Sequence, residues 1–523
     1  MRRIASAFLG LVLLATHSEA DEATEIQALK KQVEQLQRTV EQLQQTIHTI
    51  QTNAMTRDEQ RQQPTEAVQQ PANQTGGADQ ASPLDQALKE AGISVEEKRA
   101  PSALSQSAQP TQPAGPTGAS AQRLLDLSFV PTLFMGSSTE RDETLQTLQG
   151  GGHDPRKRGF TLAAGELGLV GVVDPYFRAQ AYVTTFIDAI SGETGIELEE
   201  AFLTTQALPY GLQIELGHFL TEFGQINPRH PHQWDWNDQP IINTRLFGGD
   251  GLRAPGFRFG WLLPTPETFF SELHLGMQNA NGEQMTSFLG GRHQHGGGDE
   301  HHSEDEHATI EGSQIGNRPA LGRDTKALRD FVYLARWNSS WEVRDDLGVV
   351  LGFSGLYGPN DTGPRGDTWI YGADMKWRWR PTNSFRGWPF VLWQTEIMQR
   401  DFRADHFMHQ DEDGEIVTLP ARSLHDWGFY SQLLYGFRHG WAAGLRYEYA
   451  GGSGQSLDGR KNDPFRADRQ RFSPLLAFHP SEFTRIRLQY NLDHANHLTN
   501  GKNAHSVWLS FQWLYGPHPP HEY

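Results

Sequence analysis

The chain has 523 residues, with 45 Lys and Arg against 63 Asp and Glu, which gives a formal net charge of −18. This balance argues against a nucleic-acid partner, which needs a basic face, and the absence of Cys excludes disulfides, thiolate metal sites and cysteine nucleophiles. No apolar run beyond the N-terminus reaches the roughly 18 residues of a membrane-spanning helix, while 14 Trp, 28 Phe, 13 Tyr and 53 Gly in a polar chain are typical of transmembrane β-barrels.

The N-terminus has the pattern of a secretory signal peptide. Arg2 and Arg3 precede the apolar run 4–15, which is followed by a small-residue exit at Ser18-Glu19-Ala20. We therefore predict a signal peptide over residues 1–20, with cleavage after Ala20. Without a nearby Cys the exported chain is not a lipoprotein, and a Cys-free exported protein suits a Gram-negative envelope.

Residues 21–51 show an unbroken heptad pattern, which predicts an α-helical coiled coil in the periplasm. An isolated helix of this length is marginal, so self-association is the expected reason for the pattern. The alternative is a single amphipathic helix on a surface. The a positions are Ile26, Val33, Val40 and Ile47, and the d positions are Leu29, Leu36, Leu43 and Ile50.

Residues 52–120 are rich in Gln, Ala, Pro, Ser and Thr, as in 70–74 and 110–116. This low-complexity composition predicts a linker rather than a folded domain.

From residue 121 to 523 the hydrophobic period becomes two, which predicts an all-β fold: an antiparallel transmembrane β-barrel of about sixteen strands. Tight turns are expected at Pro209-Tyr210-Gly211, His439-Gly440 and His479-Pro480-Ser481, all at one end of the barrel. The strands are expected to begin near residues 124, 160, 176, 196, 212, 257, 268, 330, 347, 369, 388, 426, 441, 471, 484 and 505.

The two faces of these strands differ in a way that a soluble β-sandwich would not show. One face is broadly aromatic, as at Trp369, Tyr371 and Trp377, while the alternate positions are charged. An apolar face towards lipid and a charged face towards water is what a membrane barrel requires. The predicted lumen-facing residues are Asp374, Lys376, Arg378, Arg380, Arg485 and Arg487.

The acidic-aromatic stretch 199–203, followed by 216–224 with Gly217, Phe219, Phe223 and Gly224, resembles a pattern in the phosphate-selective porin (O and P) family. The resemblance implies a trimeric sixteen-stranded barrel, and some relatives have an N-terminal coiled coil. Where that family often has Gln-Phe-Lys, this chain has His218-Phe219-Leu220. The family's cationic phosphate ladder is therefore not carried over, and an anion channel is not predicted.

Residues 227–255 form a connection too long to be only a turn. Its mixture of charged and aromatic side chains predicts a loop that folds into the lumen and narrows the pore. The alternative is an outer loop packed around Trp234 and Trp236. The predicted constriction residues are Arg229, His230, His232, Asp235, Asp238, Arg245 and Arg253.

A second connection, residues 292–307, combines five histidines with five acidic residues and a glycine run. Neutral imidazole and carboxylate are ligands for zinc, copper or nickel, so low-affinity capture of a divalent metal is one hypothesis and a solvated surface loop is the other. The candidate ligands are His293, His295, His301, His302 and His307.

No catalytic constellation stands out, and no cofactor is required. The leading hypothesis is a passive porin for small hydrophilic solutes in the outer membrane. Its expected partners are the surrounding lipid, further copies of the chain in a homotrimer, and peptidoglycan. A TonB-dependent receptor for zinc or another metal is a second hypothesis, because zinc-regulated receptors also have His-rich loops, although such a receptor needs a plug domain and a larger barrel. The third is a structural envelope tether that uses the barrel as an anchor.

Overall fold

The structure is a computed structural model that describes the β-rich part of the chain. It describes residues 125–189, 191–266, 268–290, 312–313, 315–316, 318–319, 323, 325–410, 416–454, 466–499 and 501–516. The predicted signal peptide, coiled coil and linker, and the histidine-rich segment, lie outside these residues.

Sixteen antiparallel strands form a closed barrel, in which the first strand pairs with the last across Thr132–Ser138 and Ser506–Gln512. The predicted fold and strand number are confirmed, and every predicted start lies within four residues of an observed one. The barrel strands are β1 (Leu125–Ser138), β2 (Gly159–Val172), β3 (Phe177–Ile187), β4 (Thr194–Thr205), β5 (Leu212–Leu220), β6 (Arg253–Leu262), β7 (Phe269–Asn279), β10 (Phe331–Arg344), β11 (Leu347–Pro359), β12 (Asp367–Trp379), β13 (Phe390–Ala404), β16 (Arg422–Arg438), β17 (Trp441–Ser453), β18 (Arg469–Ser481), β19 (Thr484–Ala495) and β20 (Asn503–Trp513).

Four short strands form two hairpins within the connections. These are β8 (Gly312–Ser313) with β9 (Arg318–Pro319), and β14 (Phe407–Gln410) with β15 (Ile416–Leu419). Two α-helices occur among the described residues, α1 (Asp142–Leu148) and α2 (Ile241–Phe247). No helix in this part of the chain is long and apolar enough to cross a membrane.

Side chains alternate between the two faces of the barrel wall along most of each strand. In β13, Trp393 and Ile397 are exposed on the outer face, whereas Glu396 and Arg400 are each 1% exposed. The pattern inverts that of a soluble protein, in which charged side chains face water on the outside. It is the arrangement that a barrel surrounded by lipid requires.

Most of the short connections lie at one end of the barrel and most of the long ones at the other. Two of the expected tight turns are found where the sequence predicted them, at 209–211 and 439–440. The third lies slightly later, at 482–483, because β18 continues to Ser481. Long connections leave the other end, among them 139–158, which contains α1, and 221–252, which contains α2.

Candidate constriction and its charge network

The connection between β5 and β6, residues 221–252, folds into the barrel and is called here the inner segment. Its two ends are joined by the backbone N–H of Thr221, which donates to the carbonyl oxygen of Leu252 at 2.8 Å. The Asn227 amide donates to the carbonyl oxygens of Thr221 (2.7 Å) and Leu252 (3.1 Å), and accepts from the Leu252 N–H. These bonds close the neck of the inner segment.

Apolar packing holds the inner segment against one side of the wall. α2 buries Ile241, Ile242, Leu246 and Phe247 in a cluster inside the barrel. The wall contributes inward-facing residues of β10, β11, β12, β13, β16 and β17 to the same cluster, namely Val332, Leu334, Leu356, Ile370, Met398, Tyr430 and Ala450. Part of the lumen is therefore occupied by an apolar core.

Trp236 forms a second apolar contact with the wall. It is 1% exposed and packs in a cluster with Leu434 and Ala442, and its indole N–H donates to the carbonyl oxygen of Ser473 at 3.0 Å. Space for the ring exists because β17 has a glycine here: a Cβ on Gly444 would lie 2.9 Å from the Trp236 ring. A small residue in the wall thus matches a large one in the inner segment.

Arginines on β19 bind the inner segment through its backbone. Arg485 donates to the carbonyl oxygen of His232 at 2.6 Å. Arg487 donates to the carbonyl oxygens of Trp234 (2.9 Å) and Trp236 (2.8 Å). Since a guanidinium has five donors in a fixed plane, it can satisfy several carbonyl groups that would otherwise be buried without partners.

Asp238 is the most heavily bonded carboxylate of the inner segment. It is fully buried and accepts from Arg446 and, at 2.7 Å, from Arg471. Gln489 and Asn491 each donate to it at 2.8 Å. Burial alone would raise the pKa of Asp238, but the two guanidinium groups and the amide donors hold it well below its usual range.

The connection 139–158 is anchored in a similar way. Arg471 donates to the carbonyl oxygen of Leu148 at 2.6 Å, and Arg469 to that of Thr147 at 3.2 Å, at the C-terminal end of α1. Both arginines also pair with Asp493. The last carbonyl groups of a helix have no partners within it, so the wall supplies the missing donors.

On another part of the wall, histidines of the inner segment meet glutamates of β2 and β4. The two ring nitrogens of His230 lie 2.6 Å from Glu199 and 2.8 Å from Glu200, and His232 Nδ1 lies 2.8 Å from Glu166. Burial would lower the pKa of His230, but Glu166, Glu199 and Glu200 hold it well above its usual value. Both nitrogens therefore donate, and His230 is an imidazolium ion.

His153, from the connection 139–158, joins this network. Its Nε2 lies 3.2 Å from Glu199 and its Nδ1 lies 3.0 Å from the carbonyl oxygen of Ala163. Burial of the ring lowers the pKa of His153, but Glu199 and Asp250 more than offset that effect and raise it to about 9.

A β-bulge explains why two consecutive glutamates face the interior. Tyr182 pairs with Glu200 and Val183 pairs with Leu198, so Glu199 has no partner on β3. A bulge places an extra residue in one strand and redirects its side chain. Both carboxylates consequently face the interior and reach His230.

Buried charge is distributed unevenly around the interior. Acidic side chains predominate on β2, β4 and β5, and basic side chains on β17, β18 and β19, where Glu448 and Asp493 are the acidic residues of the same buried set. The buried glutamates of β2, β4 and β5 are Glu166, Glu199, Glu200 and Glu215, and the buried arginines of β17, β18 and β19 are Arg446, Arg469, Arg471, Arg485 and Arg487. The inner segment lies between these two groups and bonds to both.

The structure places the residues predicted from the sequence as follows. His230, His232 and Asp238 are buried in the inner segment, while Arg229, Asp235 and Arg245 are half-buried there. Arg253 is the first residue of β6, and its guanidinium bonds to Glu197. Asp374, Lys376, Arg485 and Arg487 are buried in barrel strands, Arg378 is half-buried in β12, and Arg380 is half-buried just beyond the end of β12. His293, His295, His301, His302 and His307 lie outside the described residues.

Several members of the charge network were not predicted. Glu166 is an isolated polar residue in sequence, His153 begins the polar stretch 153–158 outside the strand pattern, and Glu199 and Glu200 enter only through a resemblance. The available signal was an acidic pair inside a strand pattern, where alternation would send one carboxylate into lipid. Only a bulge resolves that conflict.

No family model matches this chain, so the resemblance to phosphate-selective porins is not confirmed at the level of that family. An uncharacterized protein of Aquifex aeolicus (strain VF5) is 28% identical over 416 residues, which cover 76% of this chain and 79% of that protein.

Among solved structures, an anion-selective porin from Comamonas acidovorans is 9% identical, with a TM-score of 0.42 over 75% of this chain and 99% of its own. The outer membrane channel DcaP of Acinetobacter baumannii is 9% identical, with a TM-score of 0.43 over 75% and 97%. Salmonella typhi OmpF is 12% identical, with a TM-score of 0.40 over 75% and 97%. These similarities are low, so the barrel architecture rests on the strand pairing of this chain.

Proposed function

We propose that this chain is a porin-type channel in the outer membrane of a Gram-negative bacterium, through which small hydrophilic solutes or ions diffuse passively. The observation that carries the proposal is a closed sixteen-stranded barrel with apolar side chains outside and charged side chains inside. A barrel leaves no unpaired strand edge, which is the condition for crossing lipid with strands.

The inner segment is the proposed constriction. It bonds to the wall through Asp238 on one side and His230 on the other, and so crosses the lumen between acidic and basic surfaces. Its anchoring supports a pore that is narrow and fixed in shape, which favours small solutes over large ones.

The proposed surroundings follow from the sequence and the outer face of the barrel. Lipid contacts the aromatic outer face, and we propose a homotrimer associated through the barrel and the coiled coil, with the coiled coil in the periplasm near peptidoglycan. The histidine-rich segment is proposed to capture zinc or another divalent metal. No catalytic activity and no required cofactor are proposed.

A receptor with a movable plug is the second candidate, because the inner segment lies inside the barrel and contacts several separate strands of its wall. Its Asn237 side chain accepts a hydrogen bond from Ser510 of β20 at 2.8 Å, while Ser473 and Asn491 bond at 2.7 Å within the wall alone. Because the chain has no Cys, a disulfide at either pair can be introduced without competing thiols. The sixteen strands observed favour the porin, since the receptor hypothesis called for a larger barrel.

The test is single-channel recording in planar bilayers, with and without micromolar zinc. The Asn237→Cys/Ser510→Cys variant is compared oxidised and reduced, with Ser473→Cys/Asn491→Cys as the control that leaves the inner segment untethered. A passive porin conducts steadily, and its conductance is the same in the oxidised and the reduced variant. No conductance in the parent protein would overturn the passive channel. So would conductance of the Asn237→Cys/Ser510→Cys variant that appears only after its disulfide is reduced.

A further inference from the structure

Three connected parts of the molecule bring metal-ligating side chains together beside the constriction. His153 comes from the connection 139–158, Glu197 from β4, and Asp250 from the end of the inner segment. One ligand atom of each lies within 4.8 Å of the other two. We propose that these residues form a binding site for a divalent transition-metal cation such as Zn²⁺, separate from the histidine-rich segment.

The orientation of His153 is the first support for this site. A carbonyl oxygen can only accept, so the 3.0 Å contact with Ala163 requires the proton on Nδ1. That leaves Nε2 facing the carboxylates; the residue is only 7% exposed, and Nε2 has an ion-pair contact with Glu199 at 3.2 Å but no hydrogen bond of regular geometry. A histidine whose second nitrogen is bonded to a backbone carbonyl is the usual arrangement of a metal ligand.

The two carboxylates are held in place by their surroundings. Arg253 bonds to Glu197 and also donates to the backbone carbonyl oxygen of Asp250 at 2.7 Å. Gln284 donates to the same Glu197 oxygen, Oε1, at 3.0 Å. Gly152 leaves room for Asp250, since a Cβ at position 152 would lie 1.8 Å from Oδ1 of that carboxylate.

A neighbouring group of ligand type, Glu166, Glu199 and His230, is less suited to a metal. Its atoms also lie within 4.8 Å of one another, but His230 bonds to a carboxylate through each ring nitrogen. No lone pair remains on that ring. A metal at either histidine displaces a proton, but at His230 it would also break a short hydrogen bond, whereas at His153 it replaces the longer contact of Nε2 with Glu199 at 3.2 Å.

The site borders on cavities, and its protein ligands do not fill the coordination shell of a metal. His153 and Asp250 line two neighbouring cavities, one of which extends along Phe186 and Asp188 and the other towards Arg229 and His230. Two carboxylates and one imidazole suit zinc, and three protein ligands leave a position for water. A bound cation would join the connection 139–158 and the inner segment to β4.

The experiment uses the full mature chain in which the five predicted loop ligands are removed by His293→Ala, His295→Ala, His301→Ala, His302→Ala and His307→Ala. Zinc binding is measured by equilibrium dialysis, and Co²⁺ is used as a spectroscopic probe of the ligand set. His153→Ala is compared with His274→Ala, because His274 is also buried beside a single glutamate, Glu272, at 3.2 Å. Gly152→Ala keeps all three ligands but displaces the Asp250 carboxylate.

We expect one equivalent of zinc and visible Co²⁺ d–d bands in the parent and in His274→Ala. His153→Ala should bind more than tenfold more weakly, and Gly152→Ala should alter the Co²⁺ spectrum, since even changes around metal ligands cost 10- to 100-fold in affinity. Absence of saturable binding by the folded parent, or equal binding by His153→Ala, would refute the site. Conductance of the metal-free protein is recorded separately, so failure of the site and failure of the channel are distinguishable.

Discussion

At the residue scale, Asp238 decides whether the inner segment stays docked on the basic wall. It pairs with Arg446 and Arg471 at once, and all three side chains are at most 1% exposed. Removing one partner of a buried ion pair costs about 3–5 kcal/mol where the other charge is left without compensation. The cost is smaller here, because Arg446 keeps its pair with Glu448 and Arg471 keeps its pair with Asp493. Both arginines belong to barrel strands, so this cost destabilises the docked position of the inner segment and not the barrel itself.

Asp238→Asn should therefore loosen the inner segment without preventing barrel formation. We expect larger current fluctuations in single-channel recordings, because the segment gains alternative positions. Asp142→Asn is the control: its pair with Arg158 is largely exposed, and such pairs contribute at most about 1 kcal/mol. A recording from Asp238→Asn as quiet as that from the control would contradict this role.

The pH dependence of the docked state follows from the pKa shifts of Asp238 and His230. The pKa of Asp238 is lowered, so its contribution is present above about pH 3.9, the unfolded value, and is lost only in stronger acid. The pKa of His230 is raised, so its contribution is complete below about pH 6.5 and is lost only as the pH rises through the raised value. Neither anchor changes its contribution between pH 5 and pH 7, but Asp154, which accepts from the Gln239 N–H at 2.9 Å, has a pKa that burial and Asp238 raise to about 7. We therefore expect the current fluctuations of an Asp154→Asn variant to stay constant from pH 5 to pH 7, and a marked increase in that variant would be inconsistent with both anchors.

At the element scale, the strands were predictable and the contents of the barrel only partly so. Period-two alternation is a local property, and it located every barrel strand within a few residues. The bulge at Glu199 depends on the pairing of β4 with β3, and the contact of Trp236 with Gly444 joins residues far apart in sequence. Neither leaves a periodic signal, so sequence reasoning proposed a constriction but missed its partners.

The fit between β17 and the inner segment can be tested with two glycines. Gly444→Ala places a Cβ 2.9 Å from the Trp236 ring, whereas Gly348→Ala in β11 meets no atom within 4 Å. Overpacking of this kind costs about 1–3 kcal/mol. We expect Gly444→Ala to increase protease cleavage within the inner segment and Gly348→Ala to leave it unchanged; equal cleavage of the two variants would mean that the ring moves aside freely.

At the scale of the whole molecule, the outer face explains how a chain with a mean hydropathy of −0.59 can be inserted in lipid. Only alternate residues of each strand need to be apolar, so no segment is hydrophobic overall. Cross-strand neighbours such as Leu433 and Leu445 are exposed together on this face. The apolar surface is thus assembled by strand pairing, and its stabilising effect depends on the surrounding lipid.

Leu445→Arg should accordingly weaken folding into lipid vesicles. Leu445 lies near the middle of β17 and is 50% exposed, and an arginine on the lipid face at the middle of a bilayer costs about 2–4 kcal/mol. Leu328→Arg is the matched control, because Leu328 is 69% exposed in the turn before β10 rather than in a strand. The stability of both variants is measured as urea-dependent folding, with the folded fraction read from the heat-sensitive migration of the barrel on gels. If the two variants lost the same stability, the outer face of β17 would not contact lipid.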